Sequence, residues 1–147
     1  MNFFGEAENL LNSIKPLKDA VKNLEERENR IIAHSGPHDV AGIDMSTTYI
    51  SEAVANDALN DMLELIEVRR ERKYTEAKLE AITDVVKQLP HEQQMLVDLW
   101  YVQRFTKEVI AHDMHISSQS TLYALKNKTV YNFAVRYFGA GAMKDKK

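Results

Sequence analysis

Cysteine is absent from the 147 residues, so the chain has no disulfide framework, no thiolate nucleophile and no cysteine-based zinc ribbon or finger. Glycine is scarce, with five residues, and none of them falls in a P-loop, a dinucleotide-binding pattern or a nucleophile elbow. Long apolar runs are missing too. No stretch approaches the roughly 18 consecutive apolar residues of a membrane span, so no membrane partner is expected. The opening Met1-Asn2-Phe3-Phe4-Gly5-Glu6 lacks the positive start and apolar stretch of a signal peptide, and the expectation is a cytoplasmic protein. Alternating β-branched or aromatic runs do not occur either. Apolar residues recur instead at three and four, which predicts an all-α fold.

The charge is uneven. The formal net charge is -3. From residue 104 onward, Arg104, Lys107, Lys126, Lys128, Arg136, Lys144, Lys146 and Lys147 face only Glu108, Asp113 and Asp145, a local +5. The first 103 residues carry the remaining 11 bases and 19 acids, a local -8. Such asymmetry is the electrostatic footprint of a nucleic-acid-binding end, although three of the eight bases lie in a short basic tail.

Two helical territories are expected. In residues 1–89, a helical N-terminal region, Leu10, Leu11, Ile14, Leu17, Val21, Leu24 and Ile31 share one helix face. Pro16 should start or kink this segment, and Ser35-Gly36-Pro37 should stop it before a loop to about Ser46. A long helix should then begin near Ser51, a good N-cap. Its Ala55, Leu59, Met62, Ile66 and Arg69 follow the four-three spacing of a coiled-coil seam. That seam needs an apolar partner, either the Leu17-Val21-Leu24 face or a second copy of the chain. The basic run Arg69 to Lys73 is read as a solvated helix face, with Glu67 pairing Arg70 and Arg72 pairing Glu76.

Pro90 marks a change of grain, and residues 90–147 are expected to form a separate domain of short helices. Met95, Leu96, Leu99 and Trp100 make one apolar face. Thr106 can cap a helix from Lys107 to about Asp113, with Val109, Ile110 and Met114 turned inward. Ser117 or Ser118 can cap the last helix, which carries Leu122, Leu125, Val130, Phe133 and Tyr137 and is closed by Gly139. A short helix, a tight turn and a capped second helix form the arrangement that lays a recognition helix in the major groove of DNA. Ala111 supplies the small residue where the helices cross, and Ile116 packs beneath the turn. Gln119, Ser120, Tyr123, Lys126 and Asn127 are left on the outer side, with donors and acceptors suited to base edges and phosphates.

The segment Leu89 to Phe138 resembles region four of bacterial sigma factors, and more closely the RinA/ArpU-like transcriptional activators of phages and prophages. The residues that carry the resemblance are Leu89-Pro90, Leu99-Trp100-Tyr101, Glu108-x-Ile110-Ala111, Ile116-Ser117, Ser120-Thr121-Leu122-Tyr123-x-Leu125 and Phe133-Ala134. Upstream, the leucine-spaced first helix, the glycine-containing loop around Gly42 and Ser51-Glu52 entering a long charged helix extend it. Two departures stand out. His115 occupies the turn position usually held by glycine, and Ser117-Ser118-Gln119-Ser120 is one residue longer than the family pattern.

The resemblance implies a sequence-specific regulator, an activator of late phage genes, that binds double-stranded DNA near a promoter. Host RNA polymerase and a homodimeric state enter as further expected partners. The DNA-contacting set is expected to be Thr106, Lys107, Ser117, Ser118, Gln119, Ser120, Thr121, Tyr123, Lys126, Asn127 and Lys128. No catalytic residues, cofactor or metal are expected. His112 and His115 lack a third or fourth ligand nearby, His34 and His38 likewise, and His91-Glu92-Gln93-Gln94 lacks the second histidine of a metalloprotease helix. Two alternatives remain. One is an oligomer like the small terminase subunit, whose DNA-binding unit usually comes first. The other is a helical factor that binds polymerase or sigma without touching DNA.

Overall fold

The computed structural model describes residues 2–35 and 52–146. Their regular elements are all helical, with no strand among the described residues. Helix α1 (Phe3–Asn12) is capped by Asn2, whose side chain accepts from the Gly5 amide at 3.0 Å. The single N-terminal helix expected from the apolar face is broken at Ser13. The Ser13 hydroxyl donates to the Leu10 carbonyl, and α2 (Ile14–Ser35) starts one residue later with Pro16 in its first turn. There the missing backbone donor leaves no partner unsatisfied. Helix α3 (Glu52–Lys87) follows. Its expected cap Ser51, and the expected loop around Gly42 and Ser46, lie outside the described residues.

Beyond Pro90 come α4 (His91–Val97), a π-helical turn (Asp98–Val102), α5 (Lys107–Asp113), α6 (Gln119–Phe138) and a 3-10 segment (Ala140–Lys146). In the π turn the Gln103 amide reaches back five residues to the Asp98 carbonyl. This extra residue turns Tyr101 into the core, where it is almost fully buried.

The chain's compact units do not divide at Pro90. One unit comprises Met1–Lys18 and Lys78–Lys147, and the other comprises Asp19–Ala77. The expected boundary between 89 and 90 is therefore corrected. A proline ends a helix, but burial decides where a core ends. In the first unit Ala7, Leu11 and Ile14 bury against Ile82, Leu89, Val97, Tyr101, Val130, Phe133 and Ala134. Phe3 meets Phe138 with ring centroids 5.1 Å apart. Two buried polar side chains of this unit find partners. Thr129 donates to the Leu125 carbonyl, and Gln93 accepts from the Asn132 amide.

The second unit holds α2 and α3 side by side from Asp19 to Ala77. Ile31 and Val68 are buried, and so is one carboxylate, Glu28. Arg69 Nε donates to Glu28 at 2.8 Å, and Arg72 Nη1 pairs with it at 3.0 Å. The Arg69 hydrogen bond holds the Glu28 carboxyl below the usual value despite burial, helped by the charges of Arg72 and Arg69. The basic run is thus not merely solvated. Arg72 also reaches Glu76 at 3.7 Å as expected, whereas Glu67 and Arg70 form no ion pair among the described residues. Arg27 with Glu64 and His34 with Asp61 add two more exposed links. The seam Ala55, Leu59, Met62 and Ile66 does not take the Leu17-Val21-Leu24 face as its partner; it stays exposed. Leu17 is drawn into the first unit instead.

Candidate nucleic-acid interface

Helices α5 and α6 are joined by a turn built on an apolar cluster. Leu96, Leu99, Ile110 and Leu122 are buried together, with Trp100, Ala111, Met114, Ile116 and Leu125 packed around them. Thr106 caps α5, accepting from the Val109 amide. At the other end the Ile116 amide bonds to the Ala111 carbonyl at 2.8 Å, and the His115 amide to the His112 carbonyl at 3.2 Å. These paired bonds make a Schellman motif with His115 in its left-handed position, φ 57°. A histidine there stores strain that glycine avoids. His115→Gly is therefore expected to stabilise the chain by about 1 kcal/mol, read as a higher denaturant midpoint. An unchanged or lower midpoint would show that the imidazole compensates for the strain.

Ser118, rather than Ser117, starts α6. Its hydroxyl oxygen accepts from the Thr121 amide at 3.1 Å and lies 2.6 Å from the Thr121 hydroxyl. Leu122, Val130 and Phe133 bury the inner side of the helix, with Leu125 partly buried beside them. Ser117, Gln119, Ser120, Thr121, Asn127 and Lys128 are exposed. Tyr123 is 37% exposed, with its ring edge against Trp100 at 5.5 Å. Lys107 is exposed and lies over the Trp100 ring at 5.1 Å. Thr106 is exposed, its hydroxyl engaged in capping.

Two expectations about facing are overturned here. Val109 is 42% exposed and not turned inward, while Ile110, Ala111 and Met114 join the apolar cluster. Met95 likewise stays 42% exposed while Leu96 and Leu99 fill the cluster.

Lys126 is the third correction. It does not stand on the outer face. Its side chain is only 14% exposed, and its ammonium lies 2.9 Å from Glu8 on α1 and near the rings of Phe4 and Trp100. Tyr101 donates to the same Glu8 oxygen at 2.7 Å. Burial pushes the Glu8 carboxyl up, but the hydrogen bonds from Tyr101 and Lys126, with the Lys126 charge, hold it below the usual value. Burial and Glu8 drive the Tyr101 phenol far above its ordinary range. Sequence reasoning missed Glu8, Phe4 and Tyr101 as supports of α6.

The basic third of the chain is thinned accordingly. Lys126 is neutralised by Glu8, and Arg104 donates to the backbone carbonyls of Asn12 and Tyr101. Lys107 and Lys128 remain as exposed cations, Lys128 next to Asn127 in the chain, and Arg136 is exposed nearer the C-terminal end of α6. His112 stands 3.5 Å from Asp113, and no three metal-ligating side chains come together among the described residues. Among those residues, no helix is long and apolar enough to cross a membrane. Comparison with protein-family models, with curated proteins and with solved structures found no match.

Proposed function

We propose that the chain is a sequence-specific DNA-binding regulator of transcription that acts by binding and not by catalysis. The observation that supports this reading is the exposed row Gln119, Ser120, Tyr123 and Asn127 on a capped helix, set on a turn-linked helix pair. One α-helix fits the major groove, and amide side chains on its outer side can read adenine edges bidentately. The resemblance to RinA/ArpU-like activators extends the proposal to late phage or prophage genes, in the bacterial cytoplasm, with host RNA polymerase as a protein partner. A homodimer is the proposed acting unit, since two recognition helices double the DNA contact.

In this reading Gln119 and Asn127 read bases, Ser117, Ser118, Ser120, Thr121 and Tyr123 position the backbone, and Lys107 and Lys128 hold phosphates. Gln119→Ala and Asn127→Ala are each expected to weaken specific binding by about 1–3 kcal/mol while random DNA binds as before. Lys128→Ala should weaken both equally and lower the salt slope by about one. Gel shifts against a footprinted site and a random duplex test this. Equal losses on both duplexes for the amide variants would remove base reading from α6, and no binding to either duplex would leave a protein-binding factor.

A further inference from the structure

Helix α2 covers one side of the long helix α3, and the opposite side carries an apolar stripe. Residues of α3 that meet α2 include Asp61, Glu64, Arg69 and Arg72, and Val68, between them along the helix, is 2% exposed. At about 100° per residue, Leu59 and Ile66 stand roughly 180° and 160° from Val68 around the helix. There Leu59, Met62, Leu63 and Ile66 are 50%, 56%, 55% and 48% exposed. A scattered exposed leucine needs no explanation, but a contiguous stripe does. This one keeps the four-three spacing of a seam made for another helix of the same period.

The charges beyond the stripe select the occupant. Arg70 and Lys73 continue it toward the C-terminal end and form no ion pair among the described residues. A parallel, in-register second helix would set Arg70 on Arg70 and Lys73 on Lys73. An antiparallel helix centred between Met62 and Leu63 removes both repulsions. It sets Arg70 opposite Ala55 and lays Leu59 against Ile66. The stripe is complementary to itself in that direction. We propose that two copies of the chain associate through the outer face of α3, antiparallel, with Leu59 of each copy facing Ile66 of the other. The interface stands independently of the DNA-binding reading.

Sedimentation of the full chain at micromolar concentration should give twice the 16.9 kDa chain mass. Leu59→Asp with Ile66→Asp should return it to one chain mass with its helical circular dichroism kept. Because the chain lacks cysteine, disulfide trapping supplies a second measurement that does not depend on that variant. A chain carrying Leu59→Cys alone should not cross-link to itself, because the two sites lie ~10 Å apart along the axis, beyond disulfide reach. Mixed with a chain carrying Ile66→Cys, it should form a heterodimeric disulfide after oxidation. A wild type that sediments as one chain overturns the proposal and leaves the stripe to another part of the same chain or to a different protein. Efficient self-cross-linking of the Leu59→Cys chain also overturns it, in favour of a parallel pair.

Discussion

A fragment running from residue 90 to residue 147 is expected not to fold, although it holds both α5 and α6 and the turn that joins them. Ala7, Leu11, Ile14, Ile82 and Leu89 belong to the same buried cluster as Phe133 and Val130, and all five precede Pro90. Without them the inner side of α6 faces water, and the four short elements left behind are below the length at which helices hold by themselves. Far-UV circular dichroism should show a largely unfolded chain with no cooperative melt. In the full chain, Leu11→Ala should cost about 2–5 kcal/mol by the cavity it leaves in a fully buried site. A cooperative melt by the 90–147 fragment would show that α1 merely decorates a self-sufficient domain.

The second large effect is expected at Lys126. Lys126→Ala leaves Glu8 beside Tyr101 without its cation, at a site where Glu8 keeps some access to water. The loss should be about 1–3 kcal/mol, below the 3–5 of a fully buried pair. Lys126→Met should lose less, because its chain still packs between Phe4 and Trp100. Combining it with Glu8→Gln should recover part of the loss, a coupling that equilibrium unfolding of the four chains measures. The pH dependence follows from the direction of the Glu8 shift. A carboxyl held below its unfolded value, about 4.5, contributes stability that is complete above that pH and fades as the pH falls through the folded value. Glu8→Gln should flatten this acid limb. The DNA salt slope should be unchanged in Lys126→Ala; a drop of about one would place Lys126 on a phosphate after all.

The caps were legible in the sequence because each is a local rule. Thr106 and Gly139 start or end helices where side chain or backbone demands it, and the cap of α6 was narrowed to Ser117 or Ser118, of which Ser118 serves. Helical class and the apolar side of α6 followed from periodicity. The placement of Lys126 was also written there, since it stands four residues from both Leu122 and Val130 and so shares their face. Its charge argued for the surface, and only the three-dimensional arrangement supplies the Glu8 that reverses that argument. The membership of α1 was hidden for a different reason. One apolar face runs unbroken from Leu10 to Ile31, and nothing along it announces that Leu11 and Ile14 serve one core while Ile31 serves another. On α3 the pattern pointed to the stripe, while a buried carboxylate and two arginines took the packed face. A helix whose neighbour packs on its charged side, and not on its apolar stripe, defeats a reading by periodicity.

The contact between Glu8 and Lys126 also sets an order of events during synthesis. At about 5–20 residues per second, α6 leaves the ribosome roughly 6 to 24 s after α1. Throughout that interval Leu11, Ile14 and Phe4 have no α6 to cover them, while α2 and α3 can already pair through Glu28. Closure of the first unit then joins segments separated by most of the chain, the kind of distant pairing that slows folding. The nascent chain therefore carries α1 with its apolar side uncovered until α6 has been made, and the two helices become competent together.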